Sequence, residues 1–159
     1  MKFATLIVSA ALIPAFAQVD ATKESPGNQL IEFGHQFFKS HRTKPLKHWV
    51  DKYRDSNSGE TDEVHTEFHA GVRFRYIRSK SYKGDELSQV VFTAPIFRLP
   101  FGIQLGDSPE KIKKLLGEPT DSKPELFLYE VGGPALADIL QFRFSYERLI
   151  EFEIGYEHD

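Results

Sequence analysis

The sequence contains no cysteine, and this absence removes several kinds of chemistry at once. Disulfide bonds, thiolate metal sites and thiol nucleophiles all require that residue. Small secreted eukaryotic domains usually depend on disulfides, so a disulfide-free exported chain fits a bacterial periplasm better. Attachment of a lipid to an N-terminal cysteine is excluded on the same ground.

Two sets of enzyme motifs are also missing. There is no Gly-x-Ser-x-Gly elbow, and Gly132-Gly133-Pro134 is not followed by the Lys-Ser/Thr pair of a phosphate loop. We interpret this glycine-rich stretch as a turn between strands. The formal charge of −3 at pH 7 disfavours nucleic acid as the main partner.

The N-terminus, by contrast, carries a recognisable pattern, that of a secretory signal peptide. Lys2 precedes an apolar run over residues 4–16, which is shorter than the roughly 18 residues of a membrane anchor. A small-x-small triplet ends at Ala17, so we predict cleavage between Ala17 and Gln18. The mature chain, without Lys2, has a formal charge of −4 instead of −3. We expect it to be periplasmic or secreted, with no stable membrane anchor.

The remaining chain is long enough for one domain, which we place at 28–159. Residues 18–27 are polar and aperiodic, and we predict a flexible lead-in there, although Ser25-Pro26 also suits the start of a helix. The helical spacing of apolar residues predicts one helix over 28–42 and a second over 43–55.

A third, short helix is predicted between Ser108 and Gly117. Ser108 can cap its first turn, Pro109 suits the first helical position, and Gly117 is a natural C-terminal stop.

Alternation with a period of two predicts the strands. The longest run covers 62–76, where we expect the even positions to be buried and the odd positions to face water, with Gly71 as a bulge or bend. Further strands are predicted over 87–98, 126–131, 138–146 and 149–157, the last two as a tight hairpin. In this hairpin we expect the even positions to face inward, Phe142, Tyr146 and Phe152 among them.

These elements predict an α+β domain. We expect an antiparallel sheet of about five strands, with two N-terminal helices and one mid-chain helix packed on one face. The similar order of elements in the two halves of the chain leaves a degenerate duplication open.

Residues 101–119 read Phe-Gly-Ile-Gln-Leu-Gly-Asp-Ser-Pro-Glu-Lys-Ile-Lys-Lys-Leu-Leu-Gly-Glu-Pro. This stretch resembles the Gly, Ser/Thr, apolar, Leu-Gly-x-Pro signature of small bacterial envelope proteins. That group includes the outer-membrane assembly lipoprotein family, the β-lactamase inhibitor proteins, in which the arrangement is tandem, and periplasmic immunity-type proteins. The resemblance implies a short helix leading into an antiparallel sheet and a binding role, and it carries over no binding residues.

The residues that could carry chemistry lie on the predicted strands. Glu63, His65, Glu67 and His69 share one side of the 62–76 run, where two neighbours could chelate a metal; no third ligand is identifiable, and we interpret the row as a solvated face. The carboxylates of Glu151 and Glu153 have the spacing of an acid/base pair but are also typical of a wet sheet face. We predict no catalytic residues, metal or cofactor.

The favoured function is therefore a non-enzymatic, exported protein-binding module, either of the inhibitor or immunity type or an accessory of envelope assembly. Its partner would be another envelope or secreted protein. The predicted binding residues lie on polar sheet faces: Glu63, His65, Glu67, His69, Arg73, Arg75, Arg143, Glu151 and Glu153. The alternative is an envelope hydrolase that depends on a metal or on paired carboxylates.

Overall fold

The structure, a computed structural model, describes residues 24–41, 43–54, 59–79, 84–133 and 136–157. The predicted signal peptide and its cleavage site between Ala17 and Gln18 lie outside the described residues, as does most of the predicted lead-in. Neither helix in these ranges is long and apolar enough to cross a membrane.

Two α-helices and eight strands make up the described chain. Helix α1 covers Pro26–Ser40 and α2 covers Pro109–Leu116, with a 3-10 turn at Pro100–Gly102. The strands are β1 Lys47–Arg54, β2 Thr61–His69, β3 Val72–Arg78, β4 Asp85–Phe92, β5 Asp121–Lys123, β6 Leu126–Gly133, β7 Leu136–Ser145 and β8 Arg148–Gly155. All eight strands form one antiparallel sheet in the order β1-β2-β3-β4-β8-β7-β6-β5.

The order of the strands divides the sheet into two similar halves. Each half is a helix followed by four strands that pair with their neighbours in sequence, α1 with β1–β4 and α2 with β5–β8. The halves meet where β4 pairs with β8, the last strand of each. This symmetry of element order agrees with the duplication that the sequence left open.

Helix α1 begins where its cap predicts and packs on the middle of the sheet. Ser25 Oγ accepts a hydrogen bond from the Asn28 amide, and Pro26 takes the first helical position. The predicted lead-in to residue 27 is therefore two residues too long. Gly34 lies against the Tyr156 hydroxyl, which donates a hydrogen bond to the Ile31 carbonyl at 3.0 Å. A residue without a side chain lets the helix approach the sheet closely at this point.

Helix α2 confirms its predicted punctuation. Ser108 Oγ accepts from the Lys111 amide, and Gly117 ends the helix with a φ of 88°, a value that favours glycine. The predicted buried residue Ile112 is fully enclosed.

The prediction of five strands and three helices is wrong, and residues 43–55 show why. This segment forms strand β1 instead of a second helix, and Leu46, Trp49, Val50 and Tyr53 remain exposed. Their spacing imitates a buried helical stripe, whereas Trp, Val and Tyr individually favour strands. Because β1 lies at the edge of the sheet, burial does not impose the alternation that usually identifies a strand. The short strand β5 was not predicted either.

The predicted long strand over 62–76 is in fact a hairpin. Strand β2 ends at His69, Ala70 and Gly71 form the turn, and β3 starts at Val72. Gly71 has a φ of 77°, where glycine is favoured, and the Ala94 side chain occupies the space that a Cβ would need. A two-residue turn changes which residue numbers face each side of the sheet. The odd-numbered residues of β2 and the even-numbered residues of β3 therefore lie on the same side.

The C-terminal strands are confirmed more closely. Tyr146 and Glu147 form a two-residue turn with φ values of 48° and 57°, as a tight hairpin between β7 and β8 requires. Tyr146, which was expected to face inward, is instead 98% exposed at the tip of this hairpin. Strand β4 stops at Phe92, six residues before the predicted end, and the Thr93 amide bonds back to the Gly71 carbonyl.

The core lies between the two helices and the sheet and is rich in phenylalanine. Phe142 and Phe152 stack with ring centroids 4.7 Å apart, and Phe37 of α1 meets Phe92 edge to face at 5.0 Å. Burial of such rings is the largest source of stability in a domain of this size. The sheet is thereby fixed as a rigid platform with one covered side.

Candidate functional site

The two sides of the sheet differ in what covers them. On one side, here called the helix face, α1 and α2 pack on β3, β4, β6, β7 and β8. The other side is here called the outer face, and neither helix of the described chain packs on it. Cross-strand partners share a face, so the register assigns each side chain to one side or the other.

The register aligns one row of outer-face residues across the whole sheet. The row contains one residue from each strand, in spatial order Lys47, Phe68, Arg73, Val91, Glu153, Gln141, Leu128 and Asp121. The row is mixed in character, with cations and aromatic groups toward β1 and carboxylates toward β8. A binding platform with an apolar patch and a charge gradient has this composition.

The aromatic part of the outer face is centred on Trp49. Its ring meets that of Phe68 edge to face at 4.9 Å, and Lys47 Nζ lies 4.2 Å from its centroid. Trp49 nevertheless remains 49% exposed, although tryptophan is normally well buried. Exposed tryptophan supported by neighbouring side chains is typical of an interaction hot spot.

The charged part of the outer face is organised by cross-strand pairs. Arg143 Nε contacts Glu151 Oε1 at 3.2 Å, and Gln89 Nε2 donates to Glu153 Oε1 at 2.6 Å. Arg73 and Arg75 on β3 have no such carboxylate partner among the described residues. These two guanidinium groups therefore supply uncompensated positive charge next to the aromatic patch.

The structure separates the nine predicted binding residues into two groups. Arg73, Arg75, Arg143, Glu151 and Glu153 share the outer face, as the register shows. Glu63, His65, Glu67 and His69 lie on the helix face, because the turn at Ala70-Gly71 exchanges the parity of β2 and β3. The prediction of a solvated row is therefore wrong for His65 and Glu67, which are only 3% and 7% exposed.

The four helix-face residues form a polar network at the end of the sheet. His48 Nε2 and His65 Nδ1 share a hydrogen bond of 2.9 Å, and the His65 ring is stacked on Tyr76. The other nitrogen of His65 is buried 3.4 Å from Glu63 Oε2 without hydrogen-bond geometry.

The second half of this network is centred on Glu67. The Tyr76 hydroxyl donates to Glu67 Oε1 at 2.9 Å, and the other carboxylate oxygen lies 3.2 Å from His69 Nε2. His69 Nδ1 in turn lies 3.4 Å from the Thr43 hydroxyl. Hydrogen-bond partners of this kind offset the free-energy cost of burying a carboxylate. The network therefore explains why these polar groups can lie on the covered side.

The sheet separates the histidine network from the paired carboxylates Glu151 and Glu153. Glu151 lies on the outer face and His65 on the helix face, so the sheet itself separates them. Within the described ranges no group of three or more histidine, aspartate and glutamate side chains is arranged to hold a metal ion. The arrangement is thus suited to structural hydrogen bonding at the β1–β3 end.

A bidentate ion pair fixes the neighbouring end of β3 and β4. Arg78 Nε and a second guanidinium nitrogen donate to the two Asp85 oxygens at 2.7 and 3.0 Å. This hydrogen bonding to Asp85 raises the pKa of Arg78 above its ordinary value. The pair holds β3 against β4 on the helix face, where Arg78 stands opposite Glu63.

Strand β1 is the functional feature that the sequence prediction missed. All eight of its residues are exposed, and within the described chain it pairs with β2 alone. The signal that could have identified it is the strand propensity of Trp49, Val50 and Tyr53, which their helix-like spacing outweighed.

Comparison of the chain with family models, with curated proteins and with solved structures finds no match.

Proposed function

We infer that this protein is a non-enzymatic, exported module that binds another envelope or secreted protein through the outer face of its sheet. The observation that carries this inference is the exposed Trp49–Phe68 pair beside the uncompensated cations Arg73 and Arg75. Aromatic and arginine side chains dominate the energetics of protein interfaces. A surface of this composition is therefore better suited to contact with a protein partner than to exposure to water.

The rigidity of the platform supports the same function. The outer face is backed by a fully packed core in which Phe74, Phe142 and Phe152 are completely enclosed. The backbone of such a sheet is already ordered, so a partner that binds there does not have to order it, which reduces the entropic cost of association.

The resemblance of residues 101–119 points in the same direction. In the inhibitor type the arrangement is tandem, and this chain has two successive units of one helix and four strands. Export agrees with the predicted signal peptide over residues 1–17 and with a chain free of cysteine.

The test is a pull-down from the envelope fraction of the organism with the purified chain as bait. The test variant carries Arg73→Glu and Arg75→Glu, which reverse two outer-face charges. The control, Tyr146→Ala, removes an aromatic residue that is 98% exposed but lies at the β7–β8 turn. We expect the parent and Tyr146→Ala to capture the same partner and the charge-reversed variant to lose it.

Two results would contradict the function. One is repeated recovery of no partner by the parent chain. The other is a partner that the Arg73→Glu/Arg75→Glu variant retains fully while circular dichroism shows it to be folded. Either result would remove the outer face from the binding role.

A further inference from the structure

We propose that the free edge of β1 is a second binding site, one that accepts an extended polypeptide segment in which acidic and apolar residues alternate. The segment would add to the sheet as a ninth strand. This site goes beyond the outer face, because it uses backbone groups of β1 and side chains on both sides of the sheet.

The geometry of β1 provides the backbone half of the site. In an antiparallel pair, alternate residues direct their N–H and C=O groups away from the partner strand. β1 is paired on one side with β2 over all eight residues and ends the sheet on the other. Within the described chain these outward-directed groups have no strand partner and form a regular ladder about 26 Å long, from the rise per residue of a strand.

The side chains of β1 provide selectivity, because its two faces differ in chemistry. On the outer face Trp49 and Tyr53 are large and exposed and stand four positions apart, with Asp51 between them. On the helix face Lys52 and Arg54 stand two positions apart, opposite Glu63 and Thr61 of β2. A strand that presents apolar residues on one side and carboxylates on the other matches both rows at once.

The cations of the edge are available for a partner. Glu63 stands opposite Lys52 in the register, but its Oε2 is directed to His65 Nε2, and no ion pair with Lys52 forms in the described chain. Among the described residues Arg54 donates to the Gly59 carbonyl alone, at 3.3 Å. Asp51 is the single carboxylate of β1, against Lys47, Lys52 and Arg54. The edge is thus positive on a chain whose formal charge is −3.

The same charges argue against a second copy of this chain as the occupant. Antiparallel pairing of two β1 strands around a two-fold axis keeps each face on its own side. The helix-face row of one copy, with His48, Lys52 and Arg54, would then lie opposite the same row of the other copy. Like charges directly opposite one another destabilise a strand pair, so a partner of opposite charge is favoured.

A direct test uses Trp49, the only tryptophan, as a fluorescent reporter on the edge itself. The probe is an eight-residue peptide of alternating glutamate and valine with acetylated and amidated ends. The control is the same peptide with lysine in place of glutamate. We expect the glutamate peptide to change Trp49 emission saturably and to bind at least about tenfold more tightly than the lysine peptide, with the difference shrinking in high salt.

Reversal of the charges on β1 makes the test specific. The double variant Lys52→Glu/Arg54→Glu should prefer the lysine peptide and reject the glutamate peptide, a reversal of the parent's selectivity. Equal binding of both peptides by the parent, or an unchanged preference in this variant, would overturn the acidic character of the partner.

Adjacent proline variants test strand addition separately. In Val50→Pro and Asp51→Pro, one proline removes an N–H directed to β2 and the other removes an N–H directed to the open edge. We expect one of the two to keep the parent's unfolding temperature and to lose the peptide. If that stable variant binds normally, or if the chain proves to be a dimer through β1 in analytical ultracentrifugation, the edge is not the proposed site.

The edge site and the outer-face site share Trp49, but their tests change different residues. Loss of the envelope partner in Arg73→Glu/Arg75→Glu, with no peptide bound at β1, would leave the proposed function standing and reject this inference alone.

Discussion

The two ends of the sheet solve the problem of an exposed edge in opposite ways. At one end β5 has only three residues, Asp121 to Lys123, all exposed and two of them charged. At the other end β1 has eight residues, with Trp49, Val50 and Tyr53 exposed along it. Short, charged edge strands are a common protection against unwanted pairing, whereas the length of β1 and its exposed aromatic residues leave a template for pairing.

The interior beneath each end differs in the same sense. Near β5 the helix α2 covers the sheet, and the Tyr129 hydroxyl donates to the Gly117 carbonyl that ends this helix. Near β1 the covered side holds the hydrogen-bonded network around His65 and Glu67 instead of a second apolar layer. One end is thus built for stability, whereas the other has polar groups inside and aromatic groups exposed, which is the arrangement that the proposed binding role requires.

The largest expected effect is the difference in stability loss between a variant without a core ring and a variant without an edge ring. Phe142→Ala removes a fully buried side chain stacked on Phe152 and should lower the free energy of unfolding by about 4 kcal/mol. Trp49→Ala removes a larger but half-exposed ring and should cost less than about 1 kcal/mol. Urea denaturation followed by circular dichroism measures both, and equal losses would erase the distinction between the two ends.

A smaller effect is expected where α1 approaches the sheet. A methyl group on Gly34 would overlap the Tyr156 hydroxyl and come within 2.9 Å of Ile154 Cδ1. Gly34→Ala should therefore destabilise the protein by about 2 kcal/mol, although alanine favours helices in general. Gly133→Ala is the matched control, since nothing lies within 4 Å of its added Cβ. A thermal unfolding temperature unchanged in Gly34→Ala would mean that α1 can shift on the sheet.

The smallest effect concerns alkaline pH at the covered end. Burial, with a lesser contribution from Glu118, raises the pKa of Tyr129 to about 12. Burial likewise raises the pKa of Tyr156. The ordinary phenol pKa is about 10, so above that value ionisation favours the unfolded chain, and stability that is complete below pH 10 is lost as the pH rises toward 12.

The double variant Tyr129→Phe/Tyr156→Phe tests the origin of that loss. It should be less stable at pH 7, because it lacks the hydrogen bonds to the Gly117 and Ile31 carbonyls, yet its urea midpoint should fall less steeply above pH 10. An alkaline decline as steep as that of the parent would place the responsible groups elsewhere in the chain.

The sequence predicts the covered end of the molecule better than the free end, for a physical reason. In α2 and in β6 to β8, burial enforces the apolar period, so Ile112, Phe142 and Phe152 identify their elements and faces correctly. In β1 nothing enforces it, and the spacing of Leu46, Trp49, Val50 and Tyr53 suggested a helix.

The candidate site follows the same division. Arg73, Arg75, Arg143, Glu151 and Glu153 were predicted on polar sheet faces and share the outer face. The error for His65 and Glu67 comes from one turn, because Ala70-Gly71 continues the alternation of the sequence while reversing the chain. Residues on both sides of that turn look like one strand until the register is known.

The position of β8 determines when the domain can form during synthesis. The last strand in sequence lies in the middle of the sheet, between β4 and β7, and brings Phe152 and Ile154 to the core. Until β8 is synthesised, the nascent chain can form only two separate antiparallel meanders, β1–β4 and β5–β7. The edges of β4 and β7 that pair with β8 in the complete sheet are then exposed. A prematurely terminated product that lacks residues 148–155 would thus be a substrate for chaperones and proteases, so assembly is nearly all-or-none.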